Sequence, residues 1–221
     1  MNEQHFNFWK KQFADFSTVI VANGEVPSSE LSLSILNDKK RIVCCDGALQ
    51  KLLSVNVLPD VVVGDGDSMD AKLLHGREIP YHQDSSEEYN DLQKALKYCK
   101  ANGYDDILLL GCGGLREDHF IANLSIMVMY SESIRLAMLT EHGVFNVMRG
   151  VGEFRSFPRM QVSVFPSSQG TNLTFTGLKY PVNNRSFSWL WEGSLNEAVG
   201  ETFAVMADVE EPVVVYRAVF V

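Results

Sequence analysis

Up to about residue 140 the chain alternates two rhythms. Thr18–Ala22, Arg41–Cys45, Val61–Val63, Asp106–Leu110 and Ile134–Leu139 are short runs whose cores are apolar without polar alternation. Runs of that kind suit strands covered on both faces. Between them lie stretches with helical spacing. In Asp91–Lys100 the residues Leu92, Ala95, Leu96 and Cys99 recur at i, i+3, i+4 and i+7, one stripe of an α-helix. Asp118–Tyr130 is the other long helix candidate. Strand and helix in alternation predict an α/β layer with a mostly parallel sheet.

After Gly143 the period shortens. Val144–Met148, Glu153–Phe157, Gln161–Phe165, Leu173–Thr176, Ser186–Trp191, Thr202–Val209 and Val213–Phe220 are short runs rich in Val, Phe, Thr and Trp, separated by turn residues. Gln161–Phe165 and Leu173–Thr176 alternate with period two, and no helix of useful length fits. This half predicts a small all-β sandwich or barrel. The expected organisation is an α/β domain over residues 1–142 and an all-β domain over 143–221, joined without a long linker.

Composition narrows the class. The chain has 221 residues, 46% of them apolar and 21% charged, enough for one large domain or two small ones. Its formal charge of −9, from 28 acids against 19 bases, argues against nucleic acid as a partner. No apolar run approaches the roughly 20 residues of a membrane span, and the amphipathic start Met1–Phe13 lacks a signal-peptide core. Cys44, Cys45, Cys99 and Cys112 form no CxxC pair and lie in or beside apolar runs. They read as reduced core thiols of a cytoplasmic protein.

The acids fall where an open parallel sheet binds ligands, just past the carboxyl ends of the strands. Asp46-Gly47-Ala48 follows Arg41–Cys45, and Gly64-Asp65-Gly66-Asp67-Ser68 follows Val61–Val63. Asp91 opens its helix after the acidic loop Asp84–Asn90, and Asp106–Leu110 leads into Gly111–His119. Each acid alone reads equally as a helix cap or turn residue. Asp65 and Asp67 cannot both be needed for one cap, and a carboxylate cluster calls for a cation. Hard oxygen donors point to Mg²⁺ shared with substrate phosphates.

The Gly111–Gly114 loop opens a helix, where free N–H groups favour anions, and Arg116 beside it is suited to grip phosphate in bidentate fashion. There is no GK[ST] of a Walker A loop and no GxGxxG fingerprint. His119 suggests a metal ligand or a general base, although one histidine at a helix start is more often a hydrogen-bonding group. His5, His75, His82 and His142 form no ligand-spaced pair, and Ser68 has no triad partners nearby.

In order, Asp46-Gly47-Ala48, Gly64–Ser68, Asn90–Leu96, Gly114–His119 with Ala122–Leu124, Gly177–Val182 and Asn196–Glu201 resemble the thiamin pyrophosphokinase family. The resemblance runs from about residue 18 to the C-terminus. It implies Mg²⁺-dependent transfer of the terminal pyrophosphoryl group of ATP to the hydroxyl of thiamin, giving thiamin diphosphate and AMP. It also implies a homodimer with active sites shared between subunits, the β domain serving thiamin binding and dimerisation. Carried over by position, Asp46, Asp65, Asp67 and Asp91 are metal ligands, and Asp46, Arg116, Asp118 and Lys94 face the ATP phosphates. Asp67 and Asp91 are the candidates to orient the thiamin hydroxyl or take its proton, and Asn196 and Ser194 are candidate thiamin contacts. Trp189, Trp191 and Tyr180 are candidates to stack on the pyrimidine, although aromatics of this kind more often pack a core or an interface. The chain departs from the family pattern at Gly66, Asn90, Leu115 and Leu195. Two other readings stand beside this one: a pyrophosphokinase for a hydroxymethylpterin, and a non-catalytic protein that senses a nucleotide or thiamin.

Overall fold

Ile20, Val43, Val62, Leu108 and Ala137 occupy five neighbouring strands and are almost completely withdrawn from solvent. This computed structural model describes residues 1–38, 40–74 and 76–220, apart from the side chain of Ala71; His75 thus lies outside the described residues. The chain forms two compact units, Asn2–Glu141 and His142–Val221.

The first unit begins with α1 (Glu3–Phe13), β1 (Thr18–Val21), α2 (Glu30–Asn37), β2 (Arg41–Cys45), α3 (Leu49–Ser54) and β3 (Val61–Gly64). It continues through β4 (Tyr81–Gln83), α4 (Asp91–Ala101), β5 (Asp106–Leu110), α5 (Glu117–Tyr130) and β6 (Arg135–Leu139). Its strands run in the order β6-β5-β1-β2-β3-β4, every pair parallel. Parallel neighbours need crossovers over the faces of the sheet. That explains why the strand cores are apolar on both sides.

The chain leaves β1 in one direction, through β2 and β3 to β4, and then returns to place β5 on β1's other flank. The strand order therefore reverses at β1 and β5, the kind of place where a parallel sheet forms a crevice at its carboxyl edge. α4 is secured at its start by a capping box. Asn90 Oδ1 accepts the Gln93 N–H at 2.9 Å, and Gln93 Oε1 accepts the Asn90 N–H at 3.4 Å. Its stripe of Leu92, Ala95, Leu96 and Cys99 is buried.

The second unit contains β7 (Gly143–Met148), β8 (Val151–Arg155), β9 (Gln161–Pro166), β10 (Asn172–Thr176), β11 (Val182–Ser186), β12 (Asn196–Glu197), β13 (Thr202–Ala207) and β14 (Val213–Ala218). All its pairings are antiparallel, in the orders β12-β9-β14-β7 and β11-β10-β13-β8. Alternate residues point inward: Val162 and Val164, Leu173 and Phe175, Phe203 and Val205 are buried. Buried Arg217 on β14 donates to the Arg155 carbonyl of β8 at 2.8 Å, linking the two layers.

The expected strand Ser186–Trp191 is corrected. The strand is Val182–Ser186, and Leu190–Gly193 is a short 3₁₀ turn. Glu192 Oε1 accepts the N–H groups of Ser188 and Trp189, at 2.9 and 3.1 Å, and winds the segment into that turn.

Candidate active site

Asp46 ties two turns together. It follows β2 and is 1% exposed, with Oδ1 accepting the Gly47 N–H at 2.6 Å and Oδ2 accepting the Gly66 N–H at 2.8 Å. The second bond crosses from the end of β2 to the turn after β3. That turn needs a glycine in its middle, because Gly66 has φ +90°. Asp65 Oδ1 accepts the Asp67 N–H at 3.2 Å, and Asp67 Oδ1 accepts the Ser68 hydroxyl at 2.9 Å. Tyr81 on β4 donates to the Gly64 carbonyl at 3.0 Å, closing the turn from the sheet side. Carboxylate oxygens of Asp46, Asp65 and Asp67 lie within 4.8 Å of one another.

Asp91 stands at the first position of α4, and since Asn90 does the capping, its carboxylate is free for other work. Lys94, one turn on, is 2% exposed and reaches Asp65 Oδ2 at 2.5 Å and Asp91 Oδ1 at 3.5 Å. The Lys94 hydrogen bond, then the Asp67 N–H, hold the Asp65 carboxyl down to about 2. Burial, and next the charge of Asp46, push Asp91 up to about 6 despite Lys94. Burial works against the Lys94 charge, but the two carboxylates outweigh it and raise its pKa. Among the described residues no cation stands within salt-bridge distance of Asp46 or Asp67. Four carboxylates around one ammonium leave negative charge in excess. The three clustered acids are hard oxygen donors suited to a divalent cation.

Next to the acids a cavity of about 470 Å³ opens at the crevice between the β1 and β5 loops. Asn23 and Gly24 line it from the β1 side, Cys112 and Gly113 from the β5 side, and Asp91 and Arg116 stand on its wall. The Gly24 and Glu25 N–H groups donate to the Gly111 and Gly113 carbonyls at 2.6 and 2.7 Å, knitting the two loops together. Arg116 forks onto Asp118, with Nε to Oδ1 at 3.1 Å and Nη2 to Oδ2 at 2.6 Å, both side chains exposed. That fork lowers the Asp118 pKa. The structure thus brings Asp46, Asp65, Asp67, Asp91 and Lys94 into one group and sets Arg116 and Asp118 apart as a neutralised pair. His119 also lines the cavity.

In the second unit, buried Asn196 is committed to the backbone of Tyr180. It accepts the Tyr180 N–H at 3.1 Å and donates to the Tyr180 carbonyl at 2.8 Å. Ser194 donates to the Trp191 carbonyl at 2.6 Å. Tyr180, Trp189, Trp191 and Leu195 are largely exposed.

Sequence reasoning passed over Asn23, Lys51 and Tyr81. Lys51 lies on α3 and donates to the Asn23 carbonyl, Asn23 Oδ1 and the Gly24 carbonyl at 2.8, 2.7 and 2.6 Å. Its partners are 27 and 28 residues away, beyond any local motif. The one available signal was position, since Asn23 follows a strand that ends at the same edge as the acids.

Two family models match in chain order: the thiamin pyrophosphokinase catalytic domain over residues 33–138 and the thiamin pyrophosphokinase substrate-binding domain over 143–216. The thiamine pyrophosphokinase of Bacillus subtilis strain 168 is 27% identical over 142 residues, covering 60% of this chain and 66% of that protein. Thiamine pyrophosphokinase 1 of Oryza sativa subsp. japonica is 25% identical over 204 residues, covering 77% of this chain and 75% of that protein. In fold the chain is similar to the crystal structure of thiamine pyrophosphokinase from Bacillus subtilis, with a TM-score of 0.79, 20% identity, and coverage of 91% of this chain and 98% of that one. The Candida albicans thiamin pyrophosphokinase gives a TM-score of 0.78 at 19% identity, covering 94% and 90%. With both domain models matched in order and the acids gathered at the sheet edge, the chain belongs to the thiamin pyrophosphokinase family.

Proposed function

We propose that this chain transfers the terminal pyrophosphoryl group of ATP to the hydroxyl of thiamin, releasing AMP. The observation that carries the reading is the acid group of Asp46, Asp65, Asp67 and Asp91 standing beside the crevice cavity in a chain of this family. The thiamin oxygen bonds to the β-phosphorus, and the bond from that phosphorus to the α–β bridging oxygen breaks. AMP carries away the electron pair, and the hydroxyl proton passes to a carboxylate. Asp91, held near 6 on the cavity wall, and Asp67, whose Oδ1 accepts the Ser68 hydroxyl, are the candidates to accept it.

Asp46, Asp65, Asp67 and Asp91 would hold Mg²⁺, which when bound supplies charge neutralisation for the polyphosphate. Lys94 keeps Asp65 and Asp91 in place by pairing with both. Arg116 would leave Asp118 for phosphate, which likewise offers two oxygens to the guanidinium fork. Asp118 is then free to steer the guanidinium or to join the phosphate-side acids.

Thiamin binding belongs in this reading to the second unit, with Asn196, Ser194 and the exposed aromatics as candidate contacts. That exposed apolar surface supports a homodimer with shared sites. Four buried free thiols support a cytoplasmic setting. No helix among the described residues is long and apolar enough to cross a membrane.

The test is product analysis with ATP, Mg²⁺ and either thiamin or a hydroxymethylpterin. The expected result is thiamin diphosphate and AMP in equal amounts. Phosphorylation of the pterin alone, or nucleotide binding without any product, would replace this reading with one of its rivals. Sedimentation at micromolar concentration tests the dimer.

A further inference from the structure

Lys51 settles which way the Asn23 amide faces. A lysine ammonium has three N–H donors and no acceptor, so only the carbonyl oxygen of an asparagine can turn toward it. All three Lys51 donors are used, on the Asn23 carbonyl, Asn23 Oδ1 and the Gly24 carbonyl. The Asn23 amino group must then face the other way.

It lies over Gly47. A β-carbon at residue 47 would stand 2.2 Å from Asn23 Nδ2 and 3.3 Å from the Ser68 β-carbon. The bare glycine lets the amide come down between the turn that carries Asp46 and the wall of the cavity, which Asn23 and Ser68 both line. Nδ2 has no protein acceptor among the described residues. The neighbouring donors of the same loop, the Gly24 and Glu25 N–H groups, are already taken by Gly111 and Gly113. The Asn23 amino group, with its two N–H bonds, therefore remains as a donor on the β1 side of a rim otherwise rich in carboxylates.

We propose that Asn23 donates this hydrogen bond to a phosphate oxygen of the bound nucleotide, and that Lys51 is the positioning residue that aims it. The inference rests on the ATP-dependent reading above. Lys51 has no N–H left for phosphate, so it acts through Asn23 alone.

The informative variant is Asn23→Asp. A carboxylate keeps the shape and the bond to Lys51, but it turns the group facing the cavity from donor to acceptor and adds a negative charge, so the neutral Asn23→Ala reads the hydrogen bond alone. Calorimetry with Mg²⁺ and a non-hydrolysable ATP analogue should show affinity falling by about 30-fold or more, with no loss of thermal stability. Asn23→Ala should cost about tenfold. Lys51→Met should match it, Lys51→Arg should recover part of the loss, and Lys51→Met added to Asn23→Ala should cost less than about twofold more. In turnover assays KM for ATP should rise while KM for thiamin stays within about twofold.

Wild-type affinity in Asn23→Asp would overturn the Asn23 role. Additive losses from Lys51→Met and Asn23→Ala would overturn the positioning role. Failure of the proposed reaction is read separately. Wild-type protein that binds the analogue but makes no thiamin diphosphate counts against that reaction and leaves these binding comparisons intact.

Discussion

Two groups of carboxylates stand at the carboxyl edge of the α/β sheet, and they are built in opposite ways. Around the ends of β2 and β3 and the start of α4, Asp46, Asp65, Asp67 and Asp91 have one ammonium among them, Lys94, which pairs only with Asp65 and Asp91. At the start of α5, Asp118 is matched one to one by Arg116 in a two-point fork. The first group is short of positive charge and its backbone bonds hold it together regardless. The second is complete as it stands and exposed to solvent, where such a pair contributes little to stability. Excess charge in a rigid frame is a place for a cation; a balanced, exposed pair is a clasp that can open.

The largest effect should come from subtracting charge in the first group. Asp67→Asn is expected to lower turnover by about 10²–10³-fold while the metal-free melting temperature holds or rises, because Asp67 forms no ion pair among the described residues. Turnover assays and thermal melts check this, and a melt that drops sharply would mean the acid is structural. Breaking the clasp should cost less. Arg116→Lys keeps the charge and loses the fork, so kcat/KM for ATP should fall roughly tenfold with an unchanged melt. Equal kinetics at limiting ATP would make Arg116 a bystander.

The pH dependence sharpens the contrast. Asp91 is pushed up to about 6, above its ordinary value, so the folded protein holds that proton more tightly than the unfolded chain. Stability from this group is present below about pH 4 and lost as pH rises through 6. In metal-free buffer Asp91→Asn should therefore melt higher than wild type at pH 8, and the gain should vanish at pH 4. A gain of the same size at both pH values would mean that repulsion is not its source. The smallest effect should follow from Tyr81→Phe, which removes one hydrogen bond beneath the acid turn, worth about 1 kcal/mol. Chemical denaturation would read it.

The acid positions were legible because strand, glycine turn and aspartate are contiguous in the chain. The strand cores of the first unit and the stripe of α4 were legible for the same reason, and the strands begin and end within a residue of expectation. The short α2 and α3, and β4 with its three residues, have too few turns or alternations to show a period. Lys51 and Tyr81 act through partners 17 to 28 residues away, which no local spacing encodes. Trp189, Leu190 and Trp191 imitate a strand in composition, but the Glu192 carboxylate bends them into a turn. In the sequence Asn90 is a departure from the family pattern. In the folded chain its cap is what frees Asp91.

Gly64 gives the acid group an unusual kind of fragility. A β-carbon there would stand 2.4 Å from the Asp46 carboxyl. Its backbone is ordinary strand, so nothing but bulk forbids alanine. One added methyl, carrying no charge and touching no substrate, would have to shift Asp46 and with it the bond that holds Gly66. Drift at this edge is therefore policed by volume before chemistry, and Gly64→Ala is a way to misalign the four acids with every one of them still in place.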